Sequence, residues 1–181
     1  MKILAILVAV VALAPAAHAQ TTDRAARIAT GEPGKTYHNV YGVNLSRNLR
    51  AFDVQLILTE GSGENLDRLA AGEAEVGFAQ ADIYAERVVQ DPERYADVTL
   101  VGRLDDECVY IAYRKDGPVR SLADLRGPVE GRAPRIAVGP SGSGMHGTWA
   151  QMVSLDPGFA AASAEETGGT LALNQLLVGG S

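Results

Sequence analysis

Between Thr59 and Asp82 the chain runs TEGSGENLDRLAAGEAEVGFAQAD, and its apolar positions change period on the way. Leu66, Leu69 and Ala70 recur at spacings of three and four, the mark of one helix face. Ser62 stands where an N-cap is wanted, and Gly72 where a helix C-terminus needs positive φ. Val76 to Ala79 then reads as a short buried strand of the parallel-sheet kind. This order puts two polar loops, Gly61–Ser62–Gly63 and Gln80–Ala81–Asp82, at one edge of an open sheet. Ligands bind at that edge because helix-start N–H groups and strand-end side chains converge there.

The same reading extends along the chain. Strands are predicted at Ala25–Thr30, Val54–Leu58, Val98–Leu104, Cys108–Arg114 and Arg135–Val138. Helices are predicted from about Thr36 to Leu49, from Ile83 to Asp91–Pro92, from Ser121 to Leu125 and from Leu171 to Val178. Strands alternating with helices of these lengths mean an α/β fold.

The chain also echoes itself. ARIATGEPGKTYH at Ala26–His38 matches PRIAVGPSGSGMH at Pro134–His146, and Leu66-x-x-Leu69-x-x-Gly72 matches Leu173-x-x-Leu176-x-x-Gly179 at nearly the same offset. Two lobes on one strand–loop–helix plan account for this; chance matching of common strings is the bland alternative.

Lys2, the apolar run Ile3–Leu13 and Ala17–His18–Ala19 have the order of an export signal cleaved after Ala19. The expected product is a periplasmic or otherwise extracytoplasmic protein. Its acidic balance, −6 over the whole chain, argues against nucleic acid as a partner. Cys108 is the single cysteine, and its apolar surroundings Val109–Tyr110–Ile111–Ala112 favour a buried structural thiol. His38 and His146 have no partners at ligand spacing, so no metal site is expected.

Gly142–Ser143–Gly144–Met145–His146–Gly147 satisfies G-x-G-x-x-G after a predicted strand, the signature of dinucleotide binding. No strand signal ending in an acidic residue follows it, since Glu165 and Glu166 come after an Ala/Ser-rich stretch. A phosphate-binding P-loop fails because Met145 stands where lysine is required. A nucleophile elbow fails because Ser143 occupies its last glycine. Tyr37 and Tyr41, one turn apart, suit packing and ligand contact equally. Lys35 suits a carboxylate or plain solvation.

The segments RIATGEPGKTYH, TEGSGENLDRLAAGEAEVGFAQAD and RIAVGPSGSGMHGT resemble the TAXI-type solute-binding proteins of tripartite (TRAP) transporters, over about Arg27–Gly180. The resemblance implies a type II periplasmic-binding-protein-like α/β fold in which two lobes close on a small organic anion. The receptor then hands its cargo to a TRAP membrane permease. It implies no catalysis and no cofactor. It also implies ligand contacts from Gly31–Tyr37, Gly61–Glu64, Gln80–Asp82 and Ser141–Thr148. Within these loops the candidates are Gly34, Thr36, Tyr37, Ser62, Gly63, Gln80, Asp82, Ser141, Ser143 and Gly144. Glu32 and Lys35 depart from the family's glycines in the first loop.

The expected organisation is a signal peptide at 1–19, a first lobe at 20–114 and a partial second lobe at 115–181, since family members continue further. Leu173, Leu176 and Leu177 are then expected to be poorly buried. The expected ligand is a carboxylate or amino acid, such as a dicarboxylate or glutamate. Tyr37, Ser62, Gln80 and Ser143 should face one cleft. The alternatives are an exported dinucleotide-dependent oxidoreductase and a standalone sensory or scavenging module.

Overall fold

A computed structural model describes residues 24–178. The export signal and its cleavage position lie outside the described residues, as does Gly179 of the repeat. The first strand, β1 (Ala25–Ala29), leads through a loop to a π-helical turn, Tyr37–Gly42, that continues as α1 (Val43–Asn48). Then come β2 (Asp53–Ile57), α2 (Ser62–Ala70), β3 (Val76–Gly77) and α3 (Ala81–Gln90). The three strands form a parallel sheet in the order β2-β1-β3. The long helix expected at Thr36–Leu49 is thus wound more widely in its first half. Gly42 is the reason it lies so close to the sheet: a Cβ there would stand 2.7 Å from Thr30 Cγ2.

Further along, Ser121 and Asp124 make a reciprocal capping box on a 3₁₀ turn, Leu122–Arg126. Next come β4 (Arg135–Ala137), α4 (Gly144–Leu155), a second 3₁₀ turn at Pro157–Ala161, β5 (Ser163–Glu165) and α5 (Gly169–Val178). β4 and β5 pair in parallel as a separate sheet. The molecule is therefore a mixed α/β protein with two small parallel sheets and five α-helices among the described residues. One apolar cluster holds Leu66, Ile83 and Tyr95; the other holds Leu125, Val138, Trp149 and Phe159.

Three expectations fail. The runs Val98–Leu104 and Cys108–Arg114 form no strand among the described residues. Val101 is 98% exposed and Tyr110 87%. An apolar run becomes a strand only where a neighbouring backbone is free to bond it, and β3, two residues long, offers little edge. Cys108, inside that segment, is exposed rather than buried. Conversely, β5 forms where Ser163-Ala164-Glu165 gives no β signal. Its pairing is a backbone matter: Ser163 N–H bonds Pro134 C=O at 2.8 Å and Val138 N–H bonds Glu165 C=O at 2.9 Å. Leu173 and Leu177 on α5 are exposed as expected, and Leu176 is half-buried.

The two sheets meet through helices. Gly147 of α4 lies against Ile83 of α3 so closely that a methyl group there would overlap Ile83 Cδ1. Thr148 Oγ1 donates to Asp82 Oδ2 at 2.9 Å, and Gln151 Nε2 donates to the Asp82 carbonyl at 2.9 Å.

Candidate functional site

The loops at the C-terminal ends of β1, β3 and β4 gather around the starts of α2 and α4. Gly61, at φ 138°, is the residue preceding α2, and Ser62 is its first helical residue. Ser62 is therefore not the N-cap expected from the sequence. Its hydroxyl is 1% exposed as a residue and accepts the Gln80 N–H at 3.1 Å, tying the start of α2 to the start of α3. Ser143 is a cap: its Oγ accepts the His146 N–H at 3.2 Å.

The two helix starts touch. A Cβ on Gly61 would lie 3.5 Å from Gly144 N, and one on Gly144 would lie 3.0 Å from Ser62 Oγ and overlap Gln80 Oε1. Gly142 is held from both ends of its peptide, with its carbonyl accepting Glu64 N–H at 3.1 Å and its N–H donating to Glu60 Oε2 at 2.7 Å. The N–H groups of Ser62 and Gly63 on α2, and of Gly144 and Met145 on α4, have no acceptor among the described residues. Two positive helix ends thus converge with free donors between them, the arrangement that favours an anion.

Tyr37 forms one wall. Its ring tilts against Tyr41 at 6.2 Å and Phe78 at 5.7 Å between centroids, and its hydroxyl donates to Glu107 Oε1 at 3.0 Å. Burial is the main cause that pushes the phenol's pKa up. The proton therefore stays on Tyr37.

Gln80 Oε1 is buried and bonds nothing among the described residues. Asp82, by contrast, uses Oδ1 on the Ile83 N–H at 2.9 Å and Oδ2 on Thr148, so it stands in the seam between α3 and α4. Gly34 and Thr36 are exposed; Gly34, at φ 87°, donates its N–H to Asn39 Oδ1 at 2.7 Å. Ser141 lines a polar cavity of about 480 Å³ with Glu60, Glu64, Asp67, Arg87 and Gly142. That cavity carries three carboxylates for one arginine and so does not suit an anion. Of the ten candidates, the structure brings Tyr37, Ser62, Gly63, Gln80, Ser143 and Gly144 together.

Sequence reasoning missed three contributors. Asn65, fully buried, donates to the carbonyls of Thr30 and Phe78 at 2.7 Å each and accepts Thr59 Oγ1 at 2.6 Å. The signal was present: an amide beside Leu66 on a buried helix face has to be paired. Glu60 and Glu107 gave no pattern of their own. The dinucleotide reading loses one objection, because β5 does end on Glu165. It meets others: Glu165 is bonded to Arg135, and the Gly142 peptide is engaged by Glu60 and Glu64.

The fold is mixed α/β, and the starts of α2 and α4 meet where the two sheets approach each other. A family model described as the NMT1-like family matches residues 28–164, and the chain belongs to that family, one of periplasmic substrate-binding proteins. Its members are typically extracytoplasmic. No solved structure matches the chain. Among the described residues no helix is long and apolar enough to cross a membrane.

Proposed function

We propose that this protein is an extracytoplasmic receptor that captures a small organic anion and delivers it to a TRAP-type membrane permease. The observation that carries the reading is the head-to-head approach of α2 and α4, with unpaired N–H groups at Ser62, Gly63, Gly144 and Met145. A carboxylate placed there would take several N–H bonds at once and offset both helix dipoles. The two sheets act as two lobes of a type II binding protein, the first built within residues 20–114 and the second from 115 onward. The loops touch in this arrangement, so ligand entry parts them and ligand capture closes them. The ligand shifts that equilibrium by its greater affinity for the closed state.

The reading as an NAD-type oxidoreductase draws on β4, α4 and β5, yet needs Glu165 for a ribose and Gly142 for a pyrophosphate, both already bonded within the chain. The test is a thermal-shift screen. A carboxylate at a hundredfold excess over its Kd should add about 2.7 kcal/mol of stability. Stabilisation by NAD and not by carboxylates would reverse the choice.

A further inference from the structure

Residues 99–113 are left without a backbone partner. Among the described residues none of their N–H or C=O groups bonds another backbone group, and a turn follows in which Gly117 N–H bonds the Arg114 carbonyl. Every residue from 101 to 116 is exposed, Leu104, Val109 and Tyr113 among them. The alternate residues Val109, Ile111 and Tyr113 line an apolar cavity of about 420 Å³ with Leu122, Leu125 and Met152. Tyr110, between them, is 87% exposed. A period of two is that of a strand, and an unpaired strand backbone is what an added strand bonds.

Charge decides which strand fits. Asp105 and Asp106 precede the apolar run Cys108-Val109-Tyr110-Ile111-Ala112, and Arg114 and Lys115 follow it. Asp105, Arg114 and Lys115 make no ion pair among the described residues, and Asp106 meets only Arg103. The run is therefore complementary to itself when reversed. Laid antiparallel on a second copy with Tyr110 opposite Tyr110, it sets Asp106 against Arg114 and Asp105 against Lys115 at both ends. Val109 then faces Ile111, and Cys108 faces Ala112. A two-fold axis keeps each side chain on its own face, so the neighbouring symmetric registers are centred on Val109 or Ile111. The first sets Arg103 against Lys115 and the second Asp106 against Asp116. Like charges directly opposite are unfavourable, and only the Tyr110 register avoids them.

We propose that residues 105–115 are the interface of a homodimer, two copies joining strand to strand about a two-fold axis at Tyr110. Each copy then covers the other's free edge, and assembly closes at two. This stands apart from the ligand reading above.

Sedimentation of the full chain should show a monomer–dimer equilibrium, with dimer prevailing by about 100 μM. Asp105→Lys with Asp106→Arg makes both ends of the interface positive, and Arg114→Asp with Lys115→Asp makes both negative. Each double variant alone should associate at least about tenfold more weakly. Mixed in equal amounts, the two should regain the wild-type association, because opposite charges face each other again. Their circular dichroism should match wild type, since all four side chains are exposed. The register has its own readout. Ala112→Cys should cross-link under mild oxidation to Cys108 of the second copy. Wild type should not, because its two Cys108 side chains would lie about 13 Å apart along the paired strands. A monomer throughout that concentration range, a dimer that both double variants retain, or no recovery on mixing would overturn the inference. So would open-ended polymers, or wild type cross-linking through Cys108 as readily as Ala112→Cys.

Discussion

Asn65 spends its whole side-chain amide inside the protein, joining the ends of β1 and β3 to the loop after β2. Replacing it with alanine strands two carbonyls and one hydroxyl where water does not reach. At about 1–3 kcal/mol for each unsatisfied group, the loss should reach about 3 kcal/mol or more in urea unfolding. A loss below about 1 kcal/mol would mean that the amide is not the tie the geometry indicates. Gly144 gives the complementary case, a residue whose importance lies in what it lacks. Gly144→Ala drives a methyl into Gln80 Oε1. Because the far end of Gln80 can swing aside, stability should fall by only about 1–3 kcal/mol. Carboxylate binding should fall at least about tenfold, since the methyl enters the space between the helix starts. Titration together with a melting curve separates the two effects. Ser62 marks the limit of reading residues from sequence: a serine before a helix suggests a cap. Only the φ of Gly61 and the position of Gln80 show that its hydroxyl serves a neighbouring helix.

The elements legible in the sequence are those whose burial sets their pattern. β1, α2 and α3 follow from periodicity because each turns a fixed set of apolar residues inward. The failures share a cause. β5 carries little apolar signal and exists through its backbone bonds to β4, whereas the run from Val98 to Arg114 carries a strong apolar signal and finds no strand to join. Pairing is a property of two segments, and local composition reports only one of them. The register of β1 and β3 is held by Arg27, whose guanidinium grips Glu75 at 2.5 Å and the Gly72 carbonyl at 2.8 Å. Hydrogen bonding to Arg27 lowers the Glu75 pKa from 4.5 to about 2. A carboxyl depressed in the folded state adds stability above its unfolded pKa and loses it as pH falls through the folded value. The contribution should therefore be whole above about pH 4.5 and fade toward pH 2. Urea midpoints followed from pH 5 to 2 should fall more steeply in wild type than in Glu75→Gln, and less so in high salt because the pair is exposed. Parallel curves would remove the pair from the account.

At the scale of the molecule, the contacts between the two sheets include Gly147 on Ile83, Gly144 against Ser62 and Gln80, Asp82 with Thr148 and Gln151, and Gly142 between Glu60 and Glu64. In the proposed reading this seam is where the two halves part and close on the ligand. Gly147→Ala should prop it open, raising hydrogen exchange at the start of α3 and weakening ligand binding while both apolar clusters persist. Unchanged exchange there would mean that the seam is not where the lobes separate. The central claim is that the anion sits between the starts of α2 and α4, and amide NMR during a carboxylate titration tests it most directly. With L-glutamate, or whichever carboxylate binds, the largest ¹⁵N–¹H shifts should fall on Ser62, Gly63, Gly144 and Met145. Saturable shifts centred instead on the apolar cavity of about 420 Å³ between Ile111, Leu122 and Met152, with those four amides unmoved, would contradict the account.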